Sequence, residues 1–134
     1  GLGLADVEND VPATPQTVYR LASISKPITA VLAMQLVERG ELDLDADVHT
    51  LVPEWPAQRW PVTTRQLLAH LGGVRHYQGE AECTVHYGTQ RQGLVRFAAD
   101  PLLHEPGSRH HYSTYGYNLV GAVVESRTGQ PFPQ

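Results

Sequence analysis

The spacing of apolar and polar positions divides the chain into short strands at its start and helices after them. Residues 3–7 and 18–21 read as two strands, with Asn9, Asp10, Pro12 and Pro15 in the turn between them. From 24 to 39 there is no glycine, and Ile28, Val31, Leu32, Ala33, Met34, Leu36 and Val37 are apolar. Those positions cover more than one helical face, so the spacing predicts a helix buried nearly all round. Pro27 falls in its first turn, where at most one backbone bond is lost, and Gly40 is a natural stop.

Residues 41–61 are rich in turn formers, including Pro53, Pro56 and Pro61. Thr63 followed by Gln66 predicts a capping box that opens a second helix, with Leu67, Leu68 and Leu71 inward and Gly72-Gly73 as its end. Residues 75–88 are polar and irregular. A weaker third helix is expected over 89–99, before Asp100-Pro101. After Pro106-Gly107 the pattern predicts a last helix over 113–127, with Leu119, Val120, Val123 and Val124 inward and Gly129 as stop. No internal repeat or low-complexity tract interrupts this order.

Composition narrows the classes. A chain of 134 residues can bury one core. Its 41% hydrophobic and 18% charged residues are ordinary for a globular domain. It has no run of the ~18 apolar residues that a membrane-spanning helix needs. Residues 1–7 show no basic-then-apolar leader pattern. The net charge of −4 comes from 10 basic and 14 acidic residues that are scattered, which argues against a nucleic-acid footprint. Cys83 is the only cysteine, so no internal disulfide is available. No histidine-partnered signature stands beside it, and it reads as a bystander. The compartment and oligomeric state stay open.

Ser23-Ile24-Ser25-Lys26, at the mouth of the first helix, is the central chemical feature. Residues three apart share a helical face, so Ser23 and Lys26 can meet where Ser25 and Lys26 cannot. A serine hydroxyl is a weak nucleophile until a base takes its proton. A lysine amine can take or relay that proton when its surroundings disfavour the ammonium form. The first helical turn also favours negative charge developing near the serine. The bland alternative is an N-cap serine beside a solvated lysine. Two facts weigh against it: the helix behind is too apolar for a surface, and Lys26 is the only lysine in the chain. Tyr112-Ser113-Thr114 stands at the mouth of the last helix. A phenol beside an ammonium loses its proton more easily and can act as a general base. Taken alone, Tyr112 reads as one of six tyrosines with a packing role.

Three blocks change that weighing. VYRLASISKPITAVLAMQLVERGELDLDADV resembles the nucleophile helix of the serine β-lactamase-related, penicillin-binding-protein-like family, which includes class C β-lactamases, D,D-carboxypeptidases and related esterases. VTTRQLLAHLGGVRHY resembles the family's next helix and His-x-x-Gly turn. PLLHEPGSRHHYSTYGYNLVGAVVESRTGQPF resembles the segment with its Tyr-x-Asn box. The blocks keep the family's order and span nearly the whole chain. The resemblance implies an α/β (α+β) fold of the β-lactamase/transpeptidase type, here mostly its helical part with a remnant of the antiparallel sheet. It implies Ser23 as the acylated nucleophile, Lys26 as its proton-transfer partner and Tyr112 as the second base. Thr114 stands where the family usually has Asn, as a substrate-binding residue. Threonine keeps a hydroxyl but loses the amide, which weighs against β-lactam turnover. Gly72 likewise replaces the commoner Ser of the His-x-Ser-Gly turn. The Tyr-Ser-Thr form and HLGGVRHY are most similar to the family's mitochondrial β-lactamase-like branch and its bacterial relatives, regarded as peptidases. The resemblance implies a small-molecule or peptide substrate and no cofactor.

The family's third box, Lys/His-Thr/Ser-Gly on an edge strand, has only Arg127-Thr128-Gly129 as a candidate, and that ends a helix. The expectation is therefore a partial domain over 1–134, lacking its start and its later strands and last helix. Such a piece, inactive in turnover, would hydrolyse substrates poorly or not at all by itself and would expose part of the first helix's apolar surface. Two other classes remain in view. One is a non-catalytic binding or scaffold relative. The other is a metal site among His104, His110 and His111, for which no ligand spacing exists. His70 and His76 are read as structural, near the Gly72-Gly73 turn.

Overall fold

The computed structural model describes residues 1–79 and 86–132; Cys83 lies outside them. β1 (Leu4–Asp6) and β2 (Val11–Pro12) form an antiparallel hairpin, with Leu4 opposite Pro12 and Asp6 opposite Val11. The turn closes early for a local reason. The Asp6 carboxylate accepts from the Asn9 backbone N–H at 3.1 Å and from its side-chain amide at 2.8 Å, and Asp10 bends left-handed at φ 52°. The return strand expected at 18–21 therefore falls at Val11–Pro12, and 18–21 forms no strand.

A 3₁₀ turn, Ala22–Ile24, leads into α1 (Ser25–Glu38). Pro27 sits in the first turn of α1, where its missing N–H has no intrahelical acceptor to lose. Gly40 ends the helix at φ +70°, with Gly40 N–H donating to Val37 and Glu41 N–H to Leu36, each at 2.9 Å. A short α2 (Val48–Leu51), capped by the Asp47 side chain, comes from the stretch read only as turns. α3 (Thr64–Leu68) has the capping box between Thr63 and Gln66. The third helix is shorter than its pattern suggested: α4 (Gln90–Gly93), capped by Thr89, passes into a 3₁₀ turn, Leu94–Arg96. α5 (Thr114–Thr128) is capped by Ser113 and stopped by Gly129 at φ 69°.

α5 is the axis, and α1, α2, α3 and α4 all pack against it. Leu119, Val120, Ala122 and Val123 are fully buried there, with Leu36, Trp55, Leu67, Leu94 and Phe97 around them. Phe97 stacks on Tyr115 at 4.4 Å between ring centroids and tilts against Trp55 at 5.9 Å. Among the described residues, Glu125 is the one acid buried with this core. It accepts from the N–H groups of Gln90 (2.8 Å) and Arg91 (3.0 Å) at the start of α4, and of Phe132 (2.8 Å). A carboxylate so placed satisfies helix-end donors that would otherwise be orphaned.

The expectation of an all-round buried first helix fails. Only Thr29, Ala33 and Leu36 of α1 are buried, whereas Ile28 is 51% and Val31 57% exposed. The reason is geometric: α1 lays one stripe on α5, and no other described helix covers its far side to a comparable extent. No described helix is long and apolar enough to cross a membrane.

Candidate active site

Two helix mouths converge. Ser23 lies in the 3₁₀ turn that enters α1, and Lys26 in the first turn of α1. Tyr112 immediately precedes the cap of α5, and Thr114 is the first residue of that helix. Ser23 and Tyr112, 89 residues apart, place Oγ and Oη 2.7 Å from each other. Lys26 Nζ donates to Ser23 Oγ and to Thr114 Oγ1, each at 3.2 Å. The same amine lies 4.8 Å from the centre of the Tyr112 ring. The structure thus brings all four sequence-selected residues into one hydrogen-bonded group.

The backbone leading to the serine is unusual. Ala22 holds φ +47°, a left-handed conformation that L residues disfavour. The turn this produces leaves Ser23 exposed to solvent. Tyr112 is also open, at 42%. Its phenol is held below the ordinary value of 10.0, first by the Lys26 amine and second by the Ser23 hydroxyl. Such a group can remove a proton from the serine that touches it and return it to a leaving group. Tyr117, one turn along α5, moves the other way: burial raises its phenol, which donates to the Leu68 carbonyl at 3.0 Å.

Two cavities flank the group. One of about 350 Å³ is bordered by Ser23, Lys26, Tyr77, Tyr87 and Asn118. The other, about 380 Å³, is bordered by Lys26, Ile28, Gln90, Tyr117 and Asn118. Asn118 was not among the sequence candidates. Its signal was the four-residue spacing from Thr114, which sets both on one face of α5. His70 and His76 stand directly behind Tyr112, nearer to the site than a purely structural reading implied. His104 and His111 meet edge to face at 6.4 Å, and among the described residues no cluster of three metal-ligating side chains forms. Thr128 closes α5 and Gly129 caps it, so Arg127-Thr128-Gly129 lies on a helix end and not on a strand.

The chain is similar to proteins of one family. The family model described as Beta-lactamase matches residues 1–134. The serine beta-lactamase-like protein LACTB of human mitochondria is 33% identical, over 96% of this chain and 36% of its own length. Esterase EstB of Burkholderia gladioli is 38% identical, over 96% of this chain and 37% of its own. Among solved structures, EstCE1, a hydrolase with promiscuous acyltransferase activity, superposes with a TM-score of 0.81 at 34% identity, over 98% of this chain and 39% of that one. The chain thus spans little more than a third of the length of these relatives. Its helices and small antiparallel sheet are the corresponding part of a β-lactamase/transpeptidase-like α/β fold. The family match over the whole chain and the shared fold establish that the chain belongs to the beta-lactamase family.

Proposed function

We propose that this chain carries the nucleophile side of a serine acyl-transfer site that acts on an amide, ester or β-lactam carbonyl, of the peptidase or esterase type. The observation that carries the reading is the 2.7 Å contact between Ser23 Oγ and Tyr112 Oη, with Lys26 donating to the same serine. Ser23 Oγ attacks the carbonyl carbon while its proton passes to Tyr112. Lys26, bonded to Ser23 and Thr114, supplies the positive charge that favours the phenolate. Collapse of the tetrahedral species expels the amine or alkoxide, which takes the proton from Tyr112 and leaves Ser23 acylated. Water attacks the acyl-enzyme by the same proton path reversed. Thr114 holds the lysine and faces both cavities, where it contacts the substrate. The esterase and acyltransferase descriptions of the relatives support this class of chemistry.

A fluorophosphonate probe tests the reading. Wild-type chain should form a covalent adduct that peptide mapping assigns to Ser23, and Ser23→Ala should form none. Absence of the adduct, or its location elsewhere, overturns the reading in favour of a non-catalytic relative that keeps the fold. Arg127-Thr128-Gly129 ends a helix and does not serve as the third box, so we further expect poor turnover of nitrocefin or p-nitrophenyl esters by the chain alone. Rates equal to those of an intact relative would contradict that.

A further inference from the structure

Acyl transfer as proposed requires an exposed phenol to stay on Ser23, and the structure shows what restrains it. The His111 N–H donates to the His70 carbonyl at 2.8 Å, the Ser113 N–H to His70 Nδ1 at 3.2 Å, and the Thr114 N–H to His76 Nδ1 at 3.1 Å. The backbone on both sides of Tyr112 therefore hangs on two histidines. Their rings also flank the phenol, His70 at 4.5 Å and His76 edge-on at 5.7 Å between centroids.

The placing of His70 is costly. α3 ends with His70 N–H on Leu67 (3.0 Å) and Leu71 N–H on Gln66 (2.7 Å), which leaves His70 in the left-handed position at φ 58°. α1 ends with the same pair of bonds and has Gly40 in that place. Glycine is the usual occupant because a β-carbon is disfavoured there. An imidazole kept at a glycine position points to use of the ring.

We infer that His70 and His76 are positioning residues for Tyr112: as neutral imidazoles accepting at Nδ1, they fix residues 111–114 so that the phenol stays against Ser23. This rests on the reading of Ser23 and Tyr112 given above. A proton at Nδ1 would turn an acceptor into a donor that faces an N–H. The surroundings resist it. His70 faces His110, Lys26, His111 and His76, with the rings of Tyr112 and Tyr117 beside it. His76 faces Lys26 and His111, with Tyr77 and Tyr112 beside it and Arg75 next in the chain. None of these groups is a carboxylate, and the positive end of α5 points at both rings. Burial first, then His110 and Lys26, hold His70 below the ordinary 6.5; burial first, then Lys26, does the same for His76. Acidification that protonates either ring releases Tyr112.

The test uses this chain with isotope-labelled histidine and tyrosine, read by NMR. Both imidazoles should carry their proton on Nε2 at neutral pH, and Tyr112 should titrate below 10.0. His70→Ala and His76→Ala should each move that titration back toward 10.0, because the phenol leaves Lys26. His70→Asn and His76→Asn place an unprotonatable Oδ1 at the Nδ1 position, and Asn tolerates the left-handed backbone, so both should keep the lowered titration. Fluorophosphonate labelling of Ser23 should fall about 10²-fold in the alanine variants, the scale of a misplaced reacting group, and recover in the asparagine variants. A proton on Nδ1 of either histidine overturns the inference. So do alanine variants that fold and leave the Tyr112 titration unmoved. If the alanine variants do not fold, the wild-type tautomers and the asparagine variants decide. If wild type shows no Ser23 adduct, the acyl-transfer reading fails, and the Tyr112 titration still settles the positioning.

Discussion

α1 and α5 are alike in sequence and unlike in structure. Both are long and rich in apolar residues, α1 without a glycine and α5 with Gly116 and Gly121 inside it. α5 buries nine of its fifteen residues, and α1 buries three of fourteen. The difference lies in the neighbours: four helices pack against α5, whereas α1 packs chiefly on α5. Apolar content states how much cover a helix could use, and the surrounding elements decide how much it gets. The site bridges the two regimes. Ser23 and Lys26 stand at the mouth of the half-covered helix, Tyr112 and Thr114 at the mouth of the covered one. α5 with its partners forms the fixed frame, and the nucleophile is carried by the element with fewer restraints.

The contrast has a direct energetic test. Leu119→Ala, in the fully buried middle of α5, should cost about 2–5 kcal/mol, the range for a core leucine that leaves a cavity. Ile28→Ala, on the open face of α1, should stay within about 0.5 kcal/mol. Urea unfolding of both variants measures the difference. An Ile28 variant as damaged as the Leu119 one would mean that the outer face of α1 is covered in solution, and the comparison would break.

Polar groups obey the same division. Glu125 sits in the frame and accepts from three N–H groups. Glu125→Ala strands those donors and should cost about 1–3 kcal/mol. The surface pair of Asp45 and Arg65 has good bidentate geometry, at 2.7 and 2.8 Å, yet both side chains are exposed. Asp45→Ala should therefore cost much less than Glu125→Ala, because solvent screens the exposed pair. If the surface pair matters as much as the buried carboxylate, burial is not what separates the regions.

How much of this was readable beforehand follows from what each signal encodes. The capping box at Thr63 and Gln66 and the glycine stops after α1 and α5 were legible, because caps are local chemistry. The Ser-x-x-Lys spacing gave the Ser23–Lys26 proximity for the same reason. That Tyr112 would lie 2.7 Å from Ser23 came from family resemblance, since no local rule joins residues 89 apart. The second strand was misplaced because residues 18–21 have strand composition, while the Asp6–Asn9 turn closes the hairpin sooner. Burial of α1 was overestimated because periodicity describes the helix and not its neighbours. The histidine contacts were missed for a subtler reason. His70 occupies a left-handed helix end that the sequence marks only with the following Gly72-Gly73, and nothing in composition distinguishes a ring that accepts from one that merely packs.

The link between the regions is sharpened by Lys26→Met. The amine is the first cause of the lowered Tyr112 phenol, so its removal should return Tyr112 toward 10.0, read by tyrosine NMR. Ser23 labelling should fall in parallel. The fold should change little, by less than about 1 kcal/mol, because the methionine keeps the length of the stem. A Tyr112 titration unchanged in this variant would mean that the half-covered helix does not act on the covered one, and the proton path would need another source of charge.

The smallest expected effect concerns the turn that leads into Ser23. Ala22 adopts φ +47°, and its side chain is exposed, so its methyl group costs backbone energy and returns little packing. A left-handed L residue costs about 1–2 kcal/mol, and glycine would remove that cost. Glycine also widens the unfolded ensemble, which takes back about 0.4–1 kcal/mol. Ala22→Gly should therefore leave stability unchanged or raise it by up to about 1.6 kcal/mol. Ala30→Gly within α1, where no left-handed backbone is relieved, should lose about 1 kcal/mol. The turn that presents Ser23 would meanwhile become freer, and labelling should slow even as the fold holds. Paired urea midpoints and labelling rates separate the two effects. If Ala22→Gly destabilises as much as Ala30→Gly, the turn before the serine stores no strain, and its position owes nothing to a bent backbone.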